Sequence, residues 1–548
     1  MPATRRPPGP ETGRLCGWSL ILSEWPFSGP IPAWSLALRK LLATVEKMSD
    51  YSSLSSESRG VRVFGRFAPA LFVLGILITG FGFLMLIPLA ISWLTNDGAH
   101  GAYDEAVLFT IVSGSLLSLW IGPQRREMRV RESFLLVALI WSLLPAFGAL
   151  PLYLYIDQLS WTDAYFEAVS GLTATGATVL SGLDALPLSI NFWRTFMHWV
   201  GGLGVVVLAV AILPLLGFGG RSMLKAETPG PMKDSKITPR ITETAKGLWV
   251  VYVLLTAACA LCLHYFGMDG WDAMMHAFSV MGLGGFSSKD ASLGHFVSLD
   301  IELVVIFFAL LAGINFSTHF LAFSQRSLRA YLVDIEAHYF LGILALSILG
   351  LSLYLWPEGI YPDFETTLRF VAFHSVSLAT SLGFATTDYA QWPLFGQLWI
   401  LFLGSFVACS GSAGGGIKMM RAVVLYKQVS RELIRAMHPR GLQTVRFGGT
   451  VIPDQVLHSI LGFMFIYVVS IVVMTLLMVA TRLDIVTAFS AVVACLNNTG
   501  PGLNLVGPAS TYAVLSDFQT WVCTWAMLLG RLEIFTLLVV LTPAFWRR

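Results

Sequence analysis

One short motif occurs four times in this chain, and that recurrence constrains the fold more than any other feature. Aligned on Gly176, Gly285, Gly383 and Gly500, the runs AVSGLTATGAT, AFSVMGLGGFS, SVSLATSLGFA and AVVACLNNTGPG fall into gapless register. Six residues before each glycine stand Ser170, Ser279, Ser377 and Ala494, and seven before stand Val169, Phe278, Val376 and Val493. The glycines are spaced by 109, 98 and 117 residues. Repetition at a near-constant period marks assemblies in which each copy supplies one structural unit. Four copies predict fourfold pseudo-symmetry within a single chain.

The solvent around those units follows from charge. Only 12% of the 548 residues are charged and 55% are apolar, with a mean hydropathy of +0.70. Soluble domains carry about 25% charged residues, so a polytopic protein of the lipid bilayer is expected. Lys and Arg cluster at 59–66, 125–131, 221–240, 326–329, 427–446 and 547–548, whereas connections such as TNDGAHGAYDE at 95–105 hold acids and neither base. The positive-inside rule then places the basic clusters and both chain ends in the cytoplasm. Nothing in this pattern suggests a nucleic-acid partner. Cys259 and Cys262 have the spacing of a metal or redox pair, but they lie in an apolar helix with no second pair, so core thiols are expected.

An all-α organisation follows from the apolar runs. Residues 1–58 stand apart as a tail, expected to be disordered or an over-long gene start with Met48 as initiator. Residues 59–132 hold two additional spanning helices, 67–93 and 106–121. Four units come next, at 133–246, 247–337, 338–452 and 453–548. In each, a long helix crosses, a short helix dips back, a glycine turn follows and a second long helix returns. The dipping segments are expected at 163–173, 272–283, 364–381 and 484–498, with Asp163, Asp272 and Asp484 as helix-start residues. Eleven residues of helix reach only about 16 Å, too little to span about 30 Å of hydrocarbon. Re-entrant backbone is tolerated only where protein or a watery cavity shields it, so the four turns must converge on one lumen.

The turns carry glycine, small residues and hydroxyls but no charge. Glycine admits conformations that point successive carbonyl oxygens the same way, and rings of carbonyls replace a cation's water shell in potassium channels. Helix C-termini aimed at the cavity favour a cation there. Close packing alone would also use glycine, but it does not require four in register, each ending a short segment. The chemistry points to a pore for monovalent cations. The second long helix of the third unit, 392–425, would be about 50 Å if straight, and SGSAGGGIK at 410–418 interrupts it. Such a break should line a cavity. It is expected to be the only broken helix among the four returning ones. Arg531 lies in an apolar run with Glu533 two residues on, a spacing that does not share a helix face. Intramembrane charges usually mark ion paths.

These segments resemble the bacterial Trk/Ktr/HKT potassium-uptake superfamily. TATGAT, GLGGFS, SLGFATTDY and NNTGPGL are similar to its four filter segments, as are the runs at 199–216, 409–421 and 530–545, and the likeness covers about residues 60–548. Two extra leading helices place the resemblance in the TrkH branch rather than the KtrB branch. The resemblance implies four fused helix–pore-loop–helix units around one pore, conducting potassium into the cell across the bacterial inner membrane. It implies a filter of Thr175, Gly176, Ala177, Gly284, Gly285, Phe286, Leu382, Gly383, Phe384, Thr499, Gly500 and Pro501. Potassium would sit at the carbonyls of Thr175, Gly176, Gly284, Gly285, Leu382, Gly383, Thr499 and Gly500. A serine in place of the first glycine would imply sodium permeation, and that position holds Gly176.

The resemblance also assigns a gate to Ser410, Gly411, Ser412, Ala413, Gly414, Gly415, Gly416 and Lys418, with Lys418 at the cytoplasmic rim and Arg531 reaching the pore from the fourth unit. It implies a homodimer with one pore per protomer. It further implies a cytoplasmic TrkA-like regulatory subunit that carries the nucleotide, ATP/ADP or NAD(H), since no nucleotide site and no covalent cofactor is visible in this chain. The basic stretches 221–240 and 427–446 are plausible docking surfaces.

Other polar residues carry weaker signals. Glu167, His276 and His374 each stand nine before a filter glycine and are expected to hydrogen-bond behind it. His198 is expected to be structural, and Glu302, Asp334 and Glu336 to be solvated. The chain has no GxxxxGK[ST], HExxH or GxSxG, and its ionisable residues are not expected to converge, so an enzyme is not expected. The alternative to a channel-like pore is a sodium- or proton-coupled secondary transporter of another small cation or solute, a class marked by inverted repeats and paired broken helices.

Overall fold

The computed structural model describes residues 67–124, 128–204, 241–439 and 443–547. The tail at 1–58, the whole basic stretch at 221–240 and the part of the first expected returning helix beyond 204 lie outside these residues.

Apolar sequence and the need to satisfy backbone groups internally produce helices throughout. Among the described residues, six are long and apolar enough to cross a membrane: Ala68–Thr95, His100–Ile121, Val130–Tyr155, Ala245–Tyr265, Ile335–Glu358 and Asp454–Ala480. The first two cross where glycine meets glycine. A Cβ on Gly75 would lie 2.8 Å from the Gly114 carbonyl oxygen, and one on Gly114 would lie 2.8 Å from that of Gly75. Small residues at such crossings let backbones approach.

Four shorter helices, Trp161–Thr173, Gly270–Gly282, Phe364–Ala379 and Ile485–Leu496, are the dipping segments. They begin earlier than expected in the first two cases. Ser160, Asp269, Asp363 and Asp484 are the capping residues, each accepting a hydrogen bond from a backbone N–H of the first turn. Asp163 and Asp272 instead lie inside the first turn, where Asp163 accepts from the Ser160 hydroxyl and Asp272 from the Ser288 hydroxyl. Each helix closes with one repeated bond. The N–H of Thr175, Gly284, Leu382 and Thr499 donates to the carbonyl of the residue five before it, at 2.9, 2.9, 2.7 and 2.9 Å. This 6→1 closure satisfies a terminal carbonyl and turns the chain out of the helix.

The returning helices depart from expectation. The third is interrupted as foreseen, running Leu394–Phe406 and resuming at Met419–Met437. The second and fourth are broken as well. Leu299–Gly313 meets Phe316–Gln325 at 92°, and Asp517–Arg531 meets Phe535–Leu541 at 112°. The fourth break contains Glu533 and Ile534 at φ 51° and 55°, and no glycine rule could have located it. Three returning helices also carry a glycine against a dipping helix. Added Cβ atoms on Gly201, Gly404 and Gly530 would strike the carbonyl oxygens of Leu172, Leu378 and Leu496. A small hairpin, Arg446–Phe447 with Thr450–Val451, turns through Gly448 and Gly449 at the end of the third unit, just past the basic stretch 427–446.

Candidate functional site

The four turns share one unusual backbone. Ala174, Leu283, Ser381 and Asn498 have φ of 52°, 51°, 62° and 52°, and two residues later Gly176, Gly285, Gly383 and Gly500 have φ of 83°, 81°, 80° and 93°. The residue between each pair is not left-handed, so the sign of φ alternates along each turn, as glycine at the last position permits. The turns also touch in a closed cycle. A Cβ on Gly176 would strike the Gly284 carbonyl oxygen, one on Gly285 that of Leu382, one on Gly383 that of Thr499, and one on Gly500 that of Thr175. Each glycine therefore makes room for a carbonyl of the next turn, and the fourth returns to the first. All four line a single cavity of about 310 Å³, bordered also by Ala177, Phe286 and Pro501. Phe384 is fully buried.

Buried polar groups brace the ring from behind. The Ser279 hydroxyl donates to the Phe286 carbonyl at 2.5 Å, and the Ser377 hydroxyl to that of Phe384 at 2.7 Å. The fourth turn has Ala494 in that register. There the Tyr512 hydroxyl donates to the Gly500 carbonyl at 2.8 Å, while the Tyr512 N–H donates to Thr178 of the first turn at 2.8 Å. The Asn498 amide donates to the Thr175 hydroxyl at 2.9 Å, a second stitch between turns four and one.

The three residues nine before their glycines all lie behind the turns. Glu167 accepts from Thr178 and from the Val179 N–H, His276 bonds Ser287 at 2.9 Å, and His374 bonds the Thr387 carbonyl at 3.1 Å. His198 stacks on Phe286 with ring centres 4.1 Å apart and accepts its N–H at 3.3 Å. Arg194, which no motif flagged, completes the brace. It pairs with Glu167 at 2.8 Å with both side chains fully buried, donates to the Ser287 carbonyl at 3.2 Å, and lies 4.4 Å from the centre of the Phe286 ring. Its guanidinium thus ties the first turn to the second. Removing one partner of such a pair leaves an uncompensated buried charge.

On the other side of the ring, a cavity of about 200 Å³ is lined by Gly202, Gly411, Lys418, Asn498, Arg531 and Glu533 among others. The glycine-rich break runs along it. Gly414 and Gly415 pack so closely under the ends of two dipping helices that Cβ atoms would strike the carbonyls of Thr380 and Asn497, and the Gly415 N–H donates to the Ser381 hydroxyl at 2.9 Å. The break in the second returning helix docks on the break in the third. Cys409 N–H donates to the Gly313 carbonyl and Phe316 N–H to that of Gly411, both at 3.1 Å. Backbone groups orphaned by one interruption are satisfied by the other.

Charged residues converge at this loop, contrary to expectation. Arg531 donates to the Ala413 carbonyl at 3.1 Å and to the carbonyls of Gly201 and Gly202, at the end of the helix Leu188–Gly202. Glu533 pairs instead with Arg421 at 2.5 Å. Lys418 is not at an exposed rim. Its side chain is buried and its ammonium donates to the Gly414 carbonyl. Glu302 and Glu336 are buried too: Glu302 pairs with Arg369 at 2.7 Å, and Glu336 accepts backbone N–H groups of the loop region. Asp334 caps the following helix by accepting from Ala337. Among the described residues no group of three His, Cys, Asp or Glu could hold a metal ion, and Cys259 and Cys262 are free thiols.

A family of cation transport proteins, TrkH, matches residues 102–547. The chain belongs to the TrkH family. It is 44% identical over 479 residues to the Trk system potassium uptake protein TrkH of Salmonella typhimurium and 46% identical over 482 residues to that of Halomonas elongata. Each alignment covers 87% of this chain and 98% of the relative. The crystal structure of the potassium transporter TrkH from Vibrio parahaemolyticus shares the fold at a TM-score of 0.79 and 40% identity, covering 88% of this chain and 100% of that one. These relatives are named for transport rather than for catalysis.

In this TrkH-family chain the structure brings the four glycine turns together in one closed cycle. It adds Arg194 and Tyr512 and gives Asn498 and Glu336 roles that the sequence did not, through bonds to residues 12 to 323 positions away along the chain. A repeat-based reading finds only what recurs, and none of these four recurs.

Proposed function

We propose that the protein takes up potassium across the bacterial inner membrane, through a pore whose selective element is the ring of four glycine turns. The observation that carries this reading is the closed cycle in which each filter glycine leaves space for a carbonyl of the next turn. The carbonyls of Thr175, Gly176, Gly284, Gly285, Leu382, Gly383, Thr499 and Gly500 replace the ion's hydration shell. The cavity lined by all four glycines faces outward, and the one containing Arg531 faces the cytoplasm, as the positive-inside rule orients the chain. Helix C-termini above the inner cavity offset the cost of holding a cation there.

The loop at 410–418 gates this path, and the Arg531 guanidinium adds an electrostatic barrier beneath the ring. The protein works as a homodimer with a cytoplasmic TrkA-like nucleotide-binding subunit, because the relatives are named as parts of a Trk system and this chain shows no nucleotide-binding motif of its own. A coupled transporter is the second reading. Three broken returning helices favour it, since discontinuous helices build the sites of secondary transporters.

The test is growth on low potassium, and rubidium uptake, in a bacterial strain stripped of its own potassium importers, with and without the cognate regulatory subunit. Restored uptake driven by membrane potential alone supports the pore. Uptake that requires a sodium or proton gradient supports the transporter, and no uptake under either condition contradicts both.

A further inference from the structure

Glu336 is the second residue of the helix Ile335–Leu355 and is 7% exposed. Among the described residues no Lys or Arg lies within ion-pair distance of it. A buried carboxylate without compensation is expensive, and here two backbone amides compensate it. One oxygen, Oε1, accepts the Ser410 N–H at 2.6 Å and the Met420 N–H at 3.0 Å.

Those two amides stand at opposite edges of the glycine-rich break. Met420 opens the helix Met419–Met437, whose first-turn amides have no capping side chain of their own, because Lys418 occupies the cap position and makes no cap bond. A residue of another helix thus caps this one and, with the same atom, holds the far end of the loop. The middle of the loop is held separately, by Ser381 on Gly415 and Arg531 on Ala413.

We propose that Glu336 is a positioning residue that latches the loop. By clasping both edges it reinforces the separation that the Met419 N–H to Ala408 carbonyl bond also holds, so the loop stays packed under the dipping-helix ends, and opening requires the two Glu336 bonds to break. This rests on the reading of 410–418 as the gate. The latch needs an acceptor oxygen rather than a charge, which separates it from general structural support.

The experiment measures rubidium uptake by the purified full-length protein in liposomes without a regulatory partner, together with the potassium-over-sodium preference and the size-exclusion profile. Glu336→Ala should raise basal flux about fivefold or more, the scale of one lost hydrogen bond, with ion preference unchanged. Glu336→Gln keeps Oε1 and should stay near wild type. Glu336→Asp keeps the charge but is too short to reach both amides, so it should raise flux even if the alanine variant fails to assemble. Gln as disruptive as Ala, or Asp indistinguishable from wild type, overturns the latch. Gly415→Ala, which forces the loop off Asn497, separates the two claims. If it raises flux and the Glu336 variants do not, only the latch falls. If none of them changes flux, the gate assignment falls as well.

Discussion

Ala494 breaks the serine register of the four turns, and Tyr512 is the residue that answers it. Where Ser279 and Ser377 tether the carbonyls one past the glycines of the second and third turns, the Tyr512 hydroxyl tethers that of Gly500 itself, from outside the aligned motif. Ion discrimination by carbonyls depends on where the oxygens are held and how strong their field is, so the loss of this one bond should be felt in selectivity before it is felt in folding. Tyr512→Phe removes a single oxygen from a buried ring. A hydrogen bond of about 1 kcal/mol corresponds to roughly a fivefold change. We expect potassium preference over sodium to fall by about that factor at normal expression, read by sodium competition against rubidium uptake. An unchanged ratio would show that the hydroxyl is incidental to selectivity.

What the sequence made visible at this scale was set by recurrence. Glu167, His276 and His374 share an offset from the glycines, and that offset was enough to place them behind the turns. Arg194, Tyr512 and Glu336 occur once each, and their partners are fixed by tertiary packing that no local pattern encodes. Glu302 and Glu336 were misjudged for a related reason. An acidic residue near a helix end reads as solvated unless its distant partner, Arg369 in one case and the loop amides in the other, is already known.

Among the elements, the four returning helices show how composition can reveal one break and hide two. The third announces itself through four glycines and two serines in nine residues. The second breaks at Ile314 and Asn315, and the fourth at Leu532, Glu533 and Ile534, with ordinary side chains in all five positions. Left-handed backbone at a β-branched residue such as Ile534 is a genuine outlier and persists only where its surroundings over-determine it. Here they do. Glu533 is held by Arg421 from the helix beyond the loop, and Arg531 is held by Ala413 of the loop and by Gly201 and Gly202. The fourth break and the glycine loop therefore form one joint.

Arg531→Ala removes both a link of that joint and a positive charge from the cavity. Cation flux should rise severalfold in rubidium uptake, since a fixed charge inside a protein cavity acts with more force than one in bulk water. Reduced flux from a protein that assembles normally would mean that Arg531 supports the path rather than obstructs it.

For the molecule as a whole, the mostly helical membrane architecture was legible from low charge, long apolar runs and the glycine period. The same features led to the four dipping helices within a few residues at each end. The errors at the first two starts came from choosing Asp163 and Asp272 over the equally good caps Ser160 and Asp269 a few residues earlier. Convergence of the turns was inferred from the inability of short helices to span, and the cyclic contacts of Gly176, Gly285, Gly383 and Gly500 give that inference its geometry. The central claim is that this ring, not the joint beneath it, selects the ion.

The most direct test is the potassium-to-sodium permeability ratio of the reconstituted protein, taken from reversal potentials, for wild type beside Gly176→Ser and Gly383→Ser. A side chain at either position must displace a carbonyl of the neighbouring turn, so the account predicts that both variants lose potassium preference, by tenfold or more if the displacement costs about 1.4 kcal/mol. Variants that conduct with an unchanged ratio would contradict it and place selection elsewhere along the path.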